Sequence, residues 1–474
     1  MSNYSMTIGG ELISGSATFA VEDPALGAAF AVAPNCTDSE LDKAVAAAEA
    51  AFPRWRSDDT ARRSALLAAA GRVEERVDEL GALLTREQGR PLAEAIGEIR
   101  SAVDWLRYYA GLEVSVEVLQ DNEYARVELL REPIGPVAAI TPWNAPVGLA
   151  FWKVAPALRA GNTVVVKPSP YTPLTTLRIG ELLADVFPPG VLNVISGLDP
   201  LGAKLSAHHA IRKISFTGST SSGRKVAAAA AEGLKRVTLE LGGNDPAIVL
   251  DDADVETAAA GIFGSSMINV GQICVAVKRT YVPRRLYGDM VSALVERAKA
   301  VRIGNGLEEG TTHGPLNNQL QLERVEGLVR NAVDAGATVA AGGSRIDGPG
   351  FFYAPTILTD VTDSMPVVAE EQFGPALPVL PYDDLDDAIA RANATHFGLG
   401  SSIWTSDADR GAQLARRIAA GTTWVNCHLY LLPHLPFGGV KSSGLGVENG
   451  PWGLHEFTDM HVVYKNLVPG TPWS

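Results

Sequence analysis

The chain has 474 residues, 46% of them apolar, with 54 acidic against 40 basic side chains and a formal charge of −14. That length can bury more than one core, so two or more domains are expected. The acidic balance argues against a general binder of phosphate backbones, and nucleic acid is not expected as a partner.

The N-terminus, MSNYSMTIGGELISGS, lacks a basic region followed by an apolar run and a small-residue cleavage site, so no export is expected and the cytoplasm is the expected location. From Asp38 to Tyr109, Ala, Leu, Glu and Arg recur at helical spacing, as in ELDKAVAAAEAAFPRW. YARVELLREPIGPVAAITPW then shifts to short β-favouring runs punctuated by Pro133, Pro136 and Pro142. GNTVVVKPSP, GVLNVISG and IRKISFTGS follow as strand-like runs separated by helical stretches, which predicts parallel βαβ units. RVTLELGG, PAIVLDDADVETAAAGIF and ERVEGLVRNAVDAGATVAAGG continue the alternation, so two α/β lobes are expected. AGIFGSSMINVGQICVAV is interrupted by Ser265, Ser266, Asn269 and Gln272, which fits a buried helix and loop and no membrane span. FTDMHVVYKNLVPGTPWS reads as a strand and a tail, and such a strand can pair across subunits.

Three cysteines, Cys36, Cys274 and Cys427, show no pairing or zinc-site spacing, which suits a reducing compartment. The eight histidines include adjacent His208 and His209 but no HExxH pattern, so no metal is expected. Cys274 follows Glu240 in LELGGN at a suggestive interval. A thiolate attacks carbonyls, and a carboxylate near the acyl carbon can activate water. An isolated intracellular cysteine is otherwise an inert core residue, the reading kept for Cys36 and Cys427. FTGSTSSG, from Phe216 to Gly223, lies between a strand and an Ala-rich helix, where free backbone amides suit a diphosphate. Its spacing is not GxGxxG and no acidic residue follows at the usual distance, so a plain turn is the competing reading.

In order, PWNAP, KPSP, FTGSTSSG, LELGGN, GQIC, EEQFGP and PFGGVKSSG resemble the motif series of the aldehyde dehydrogenase superfamily. The resemblance covers nearly the whole chain. It implies an α/β fold with a Rossmann-like nicotinamide-binding domain (1–115 and 135–242) and an α/β catalytic domain (243–442). It also implies a small β oligomerisation extension (116–134 and 454–474), joined through a connecting segment (443–453) and building a homodimer or homotetramer. The implied substrate is a small-molecule aldehyde and the implied cofactor NAD, with NADP allowed. Cys274 matches the family's nucleophile, Asn144 its oxyanion donor beside the Cys274 backbone amide, and Glu240 the base that releases a carboxylic acid rather than passing the acyl group to coenzyme A. Trp143, Lys167, Ser169, Gly218, Ser219, Gly223, Leu241, Glu371 and Phe373 match cofactor positions. Leu149, Trp152, Ile273, Val275 and Phe437 match the aldehyde tunnel, whose apolar character implies aliphatic or aromatic aldehydes, with His428 and His434 adding polarity at its mouth. Pro170 stands where many NAD-preferring relatives carry glutamate, which weakens discrimination against NADP. A dehydrogenase for carboxylated semialdehydes, a noncatalytic protein of the same fold and a thioester hydrolase are the competing readings.

Overall fold

Short runs of Val, Ile, Ala and Thr form the middle strands of two largely parallel sheets in the computed structural model, which describes residues 4–468. In the first sheet Arg236–Glu240, Lys213–Thr217, Pro136–Ile140, Thr163–Lys167 and Leu192–Val194 lie side by side and parallel. Gly444–Leu445 closes one edge, and Met6–Ile8 with Glu11–Ile13 closes the other, all antiparallel. Lys213–Thr217, Pro136–Ile140 and Thr163–Lys167 are buried along their whole length, as strands covered on both faces must be.

The helical periodicity of the N-terminal region becomes four helices, Asp38–Arg56, Asp59–Glu74, Val77–Gln88 and Leu92–Gly111. The first starts at a capping box in which Thr37 and Glu40 satisfy each other's backbone N–H. The hairpin of Thr18–Asp23 and Ala28–Pro34 is an addition to the predicted elements. Its TFAVED run alternates exposed and buried residues, the mark of a strand with one covered face.

The second sheet runs Thr338–Ala341, Thr356–Thr359, Ala376–Tyr382, Val277–Pro283, Asp245–Val249, Gly400–Trp404 and Thr422–Val425, parallel except for its first pair. Residues 241–244 cross from the last parallel strand of the first sheet to a central strand of the second. The candidate site forms around this crossing, at the carboxyl ends of the first sheet's strands, where α/β folds bind ligands, and the amino ends of the second sheet's. The stretch weighed as a membrane span is the helix Val255–Met267 and a tight left-handed turn, Ile268–Gly271. Among the described residues no helix is long and apolar enough to cross a membrane.

The C-terminal strand Thr458–Asn466 pairs antiparallel with Ala125–Pro133, which also pairs with Glu117–Asp121. Met460, Val462 and Tyr464 are exposed on it. Residues 469–474, the end of the predicted extension, lie outside the described residues, as do residues 1–3.

Candidate active site

Cys274 sits on the loop between the left-handed turn and strand Val277–Pro283. Asn269 and Val270 have φ of 49° and 56°, a strained backbone for side chains with a Cβ. Hydrogen bonds hold it there: Gln272 Nε2 donates to the Asn269 carbonyl at 2.9 Å, and Asn269 Nδ2 donates to the Asn144 carbonyl at 2.9 Å. Lys278, buried, donates from Nζ to the carbonyls of Ile273 (2.5 Å) and Gly271 (3.3 Å). Gly271 has no room for a side chain, since a Cβ would lie 2.3 Å from the Gly374 carbonyl oxygen. The GQIC loop and the EEQFGP loop are thus locked together.

A cavity of about 580 Å³ opens above this loop. It brings together Cys274 with the predicted Trp143, Asn144, Gly218, Ser219, Leu241, Glu371 and Phe373. Cys274 keeps some exposure on the cavity wall, yet it is enclosed closely enough that burial pushes its thiol up to about 12. Glu371 and Glu240 add to this and Lys278 opposes it. At rest Cys274 is therefore a neutral thiol, and a positive charge brought into the cavity would favour the thiolate.

Asn144 uses one amide proton on the Gln272 carbonyl at 2.9 Å, which leaves the other for the cavity it lines. The Cys274 backbone N–H has no acceptor among the described residues. Two donors are thus free in residues that line the same cavity, as stabilisation of an oxyanion requires. Arg90 fixes Asn144 from below, donating to its carbonyl while pairing with Glu98 at 2.6 Å. Glu98 in turn accepts from the N–H groups of Val147 (2.8 Å) and Gly148 (3.0 Å) at the start of helix Pro146–Ala160.

Glu240 ends strand Arg236–Glu240, is buried, and has no hydrogen-bond partner on either oxygen among the described residues. Burial raises its pKa well above the carboxylate range, Glu448 raises it further, and Lys153 pulls it down. Lys153 is fully buried, paired with Glu448 and donating to Thr217 Oγ1 at 2.7 Å. Neither residue was expected from the sequence. The available signal was a lone charge in the apolar run VGLAFWKVAPAL, which a buried helix tolerates only with a partner.

The predicted tunnel residues lie outside the cavity lining. Leu149, Trp152, Val275 and Phe437 are buried in the first core, and Ile273, Cys274, Leu429 and Leu431 are among the half-buried residues packed against it. Trp152 stacks on Trp105 (5.3 Å between centroids, 10°) and meets Phe437 edge-on at 5.7 Å. His428, expected at the mouth, has a buried side chain and donates from Nε2 to the Val275 carbonyl at 2.8 Å. It braces the Cys274 loop from behind.

On the cofactor side, Ser219 caps helix Thr220–Glu232 by accepting from Ser222 N–H at 3.2 Å. The N–H groups of Thr220 and Ser221 lack intrahelical acceptors, and both residues line the cavity. Close approach is built in. A Cβ on Gly223 would meet Leu241 at 2.4 Å, and one on Gly242 would meet the Glu371 carboxylate at 2.3 Å. Glu371 accepts from Gly243 N–H at 3.1 Å and is raised to about 7, chiefly by burial, with Lys278 opposing. Phe373 meets Trp143 edge-on at 5.3 Å. Lys167 and Ser169 are buried outside this lining, Lys167 at the end of its strand and Ser169 accepting from Tyr171 N–H at 3.3 Å. Free amides at a helix N-terminus beside a carboxylate and two aromatic rings fit a dinucleotide's diphosphate, ribose and ring. Among the described residues no group of three His, Cys, Asp or Glu is placed to hold a metal ion.

A nucleotide-suited cleft between a doubly wound sheet and a second parallel sheet fits a dinucleotide-dependent oxidoreductase. The profile of the aldehyde dehydrogenase family matches residues 13–463, and the chain belongs to that family, whose members oxidise aldehydes. Retinaldehyde dehydrogenase 3 of Rattus norvegicus is 40% identical over 443 residues, 91% of this chain and 86% of that protein. The NAD+ complex of an aldehyde dehydrogenase from Bacillus cereus superposes with a TM-score of 0.96 at 39% identity, covering 98% of this chain and 97% of that one. An NADP-dependent enzyme of E. coli gives 0.96 at 36% identity, with 98% of each chain covered.

Proposed function

We propose that this chain oxidises an apolar aldehyde to its carboxylic acid with NAD, through a covalent intermediate on Cys274. The carrying observation is the convergence of Cys274, the donor Asn144 and a helix N-terminus on one cavity. The Cys274 thiolate adds to the carbonyl carbon, and the resulting thiohemiacetal oxygen takes hydrogen bonds from Asn144 Nδ2 and the Cys274 N–H. Each such donor contributes about 3 kcal/mol in the transition state. NAD supplies the hydride acceptor whose reduction leaves a thioester. Glu240 then removes a proton from the attacking water, the acid departs, and the sulfur is regenerated. Ser219, Thr220 and Ser221 would hold the diphosphate, Glu371 and Phe373 the nicotinamide end, and Lys167 and Ser169 the adenosine ribose end.

The apolar surroundings of Trp152 and Phe437 support aliphatic or aromatic aldehydes over carboxylated ones. The retinaldehyde relative agrees with that reading. The exposed apolar side chains of the C-terminal strand support a homodimer or homotetramer, and three free cysteines suit the cytoplasm. Cys274→Ser should abolish aldehyde-dependent NADH formation, and a panel of aliphatic, aromatic and carboxylated aldehydes read by NADH absorbance tests the substrate class. Full turnover by the serine variant would overturn the mechanism, and preference for carboxylated aldehydes would overturn the substrate reading.

A further inference from the structure

We propose that Lys278 is a positioning residue for the proposed reaction: it grips the peptide that joins Ile273 to Cys274, fixing that peptide's N–H as an oxyanion donor and adding positive charge beside the thiol. This rests on the reading of Cys274 as the nucleophile.

Lys278 and Arg279 put two buried cations side by side in strand Val277–Pro283, and each needs its own compensation. Arg279 donates to the carbonyls of Asn244 at 3.0 Å and Ala392 at 3.1 Å. Lys278 is aimed elsewhere by the backbone. Along the neighbouring strand Asp245 stands opposite Val277 and Pro246 opposite Arg279, so the ladder passes over Lys278, and a bulge of this kind re-aims the side chain it leaves out. Its Nζ reaches the carbonyls of Gly271 and Ile273, its only hydrogen-bond acceptors among the described residues. The Ile273 carbonyl belongs to the same peptide unit as the Cys274 N–H. That peptide is trans, so the two point in opposite directions and the lysine on the oxygen directs the N–H away from itself. A charged donor on the carbonyl also polarises the unit and strengthens the N–H as a donor.

Asp245 supplies the counter-charge. It begins its strand, is buried, and has no hydrogen-bond partner on either oxygen among the described residues. His428 Nε2 lies 3.6 Å from it but is engaged by the Val275 carbonyl. A Cβ on Gly243 would lie 2.9 Å from the Asp245 carboxylate and 2.4 Å from the Cys274 carbonyl oxygen, so the carboxylate and the Cys274 loop flank one glycine. Burial lowers the Lys278 ammonium, and Glu371, Asp245 and Cys274 oppose that fall. On the thiol, Glu371, Glu240 and Asp245 act upward with burial while Lys278 acts downward. One amine thus serves both the thiol and the oxyanion.

The test separates these two roles, because alkylation of a thiolate forms no oxyanion whereas aldehyde oxidation does. On the full-length protein at pH 8, Cys274 alkylation is followed by peptide mass with neutral iodoacetamide and anionic iodoacetate, and kcat/KM is measured for aldehyde oxidation with NAD. Lys278→Met is expected to slow iodoacetamide about tenfold and iodoacetate severalfold more, since the lost charge acts on both thiol and reagent. kcat/KM should fall by a further factor of about ten or more. Cys36, half-buried with its S–H on the Thr37 carbonyl, stays unreactive while the fold is intact. Where Lys278→Met exposes Cys36, the double variant Asp245→Asn/Lys278→Met, which leaves neither charge unmatched, takes its place, and its kcat/KM should fall about tenfold further than its alkylation by iodoacetamide. In Lys278→Met, equal slowing of the two reagents marks a merely structural role. That result, a kcat/KM that falls no further than alkylation in either variant, or wild-type rates throughout would overturn the inference. Full turnover in Cys274→Ser would overturn the proposed function instead, with the alkylation ratios still standing.

Discussion

Replacing Glu240 with glutamine separates the two halves of the proposed reaction. The side chain keeps its size, but a buried carboxyl without a hydrogen-bond partner becomes a neutral amide. Hydrolysis of the thioester loses its base, a loss of about 10²–10⁴ in rate. Acylation does not lose with it. Glu240 is one of the carboxylates that hold the Cys274 thiol near 12, where only about one sulfur in 10⁴–10⁵ is thiolate near neutral pH. The amide cannot ionise and so removes one contribution that raises the thiol, and the attacking fraction does not fall. Rapid mixing of enzyme, NAD and aldehyde reads both steps. The variant is expected to give a burst of about one NADH per active site, then a steady rate lower than wild type by about 10²–10⁴. Equal slowing of both phases, with no burst, would refute the assignment of Glu240 to the second half.

Asn144→Ala is expected to lower kcat about a hundredfold with little change in NAD affinity, measured by steady-state kinetics and calorimetry, because it removes an oxyanion donor and no cofactor contact. In Glu448→Gln the charge that raises Glu240 is gone while Lys153 remains, so the acid limb of kcat against pH should move to lower pH. Movement to higher pH would break that electrostatic reading. Glu371, about 7 when folded against 4.5 when free, binds more protons in the native state over that interval. Its contribution therefore costs stability as pH rises from 4.5 to 7, by at most about 3 kcal/mol. Glu371→Gln should remove this cost, raising the melting temperature relative to wild type more at pH 8 than at pH 4.5.

Local pattern made much of this molecule legible. The spacing of Ala and Leu over 38–109 gave helices, and the apolar runs ending in KPSP and FTGS gave parallel strands whose carboxyl ends carry the cleft. PWNAP, FTGSTSSG and LELGGN follow strands of the first sheet, GQIC and EEQFGP precede strands of the second, and these loops meet in one cavity. Contacts between distant segments had no sequence signal. Lys153 and Glu448 stand 295 residues apart, and Arg90 reaches Asn144 across 54, so no periodicity relates them. The same holds for backbone strain: Phe373 takes a φ of +53°, a conformation disfavoured for a bulky side chain and maintained by the packing around it. His428 was expected to add polarity at the tunnel's mouth, whereas the Val275 carbonyl that holds its buried ring comes from 153 positions away.

Glu448 exchanges two backbone hydrogen bonds with Phe437, at 2.8 and 2.7 Å, while its carboxylate pairs with Lys153. Phe437 packs against Trp152, the residue next to Lys153 in the same helix. On the proposed reading of Phe437 as a tunnel residue and Glu240 as the base, substrate scope and pH dependence are mechanically linked. Variants selected for bulkier aldehydes through changes at 437 should drift in their pH dependence without any substitution of an ionisable group, and selection for activity at a new pH should in turn redraw the range of aldehydes accepted.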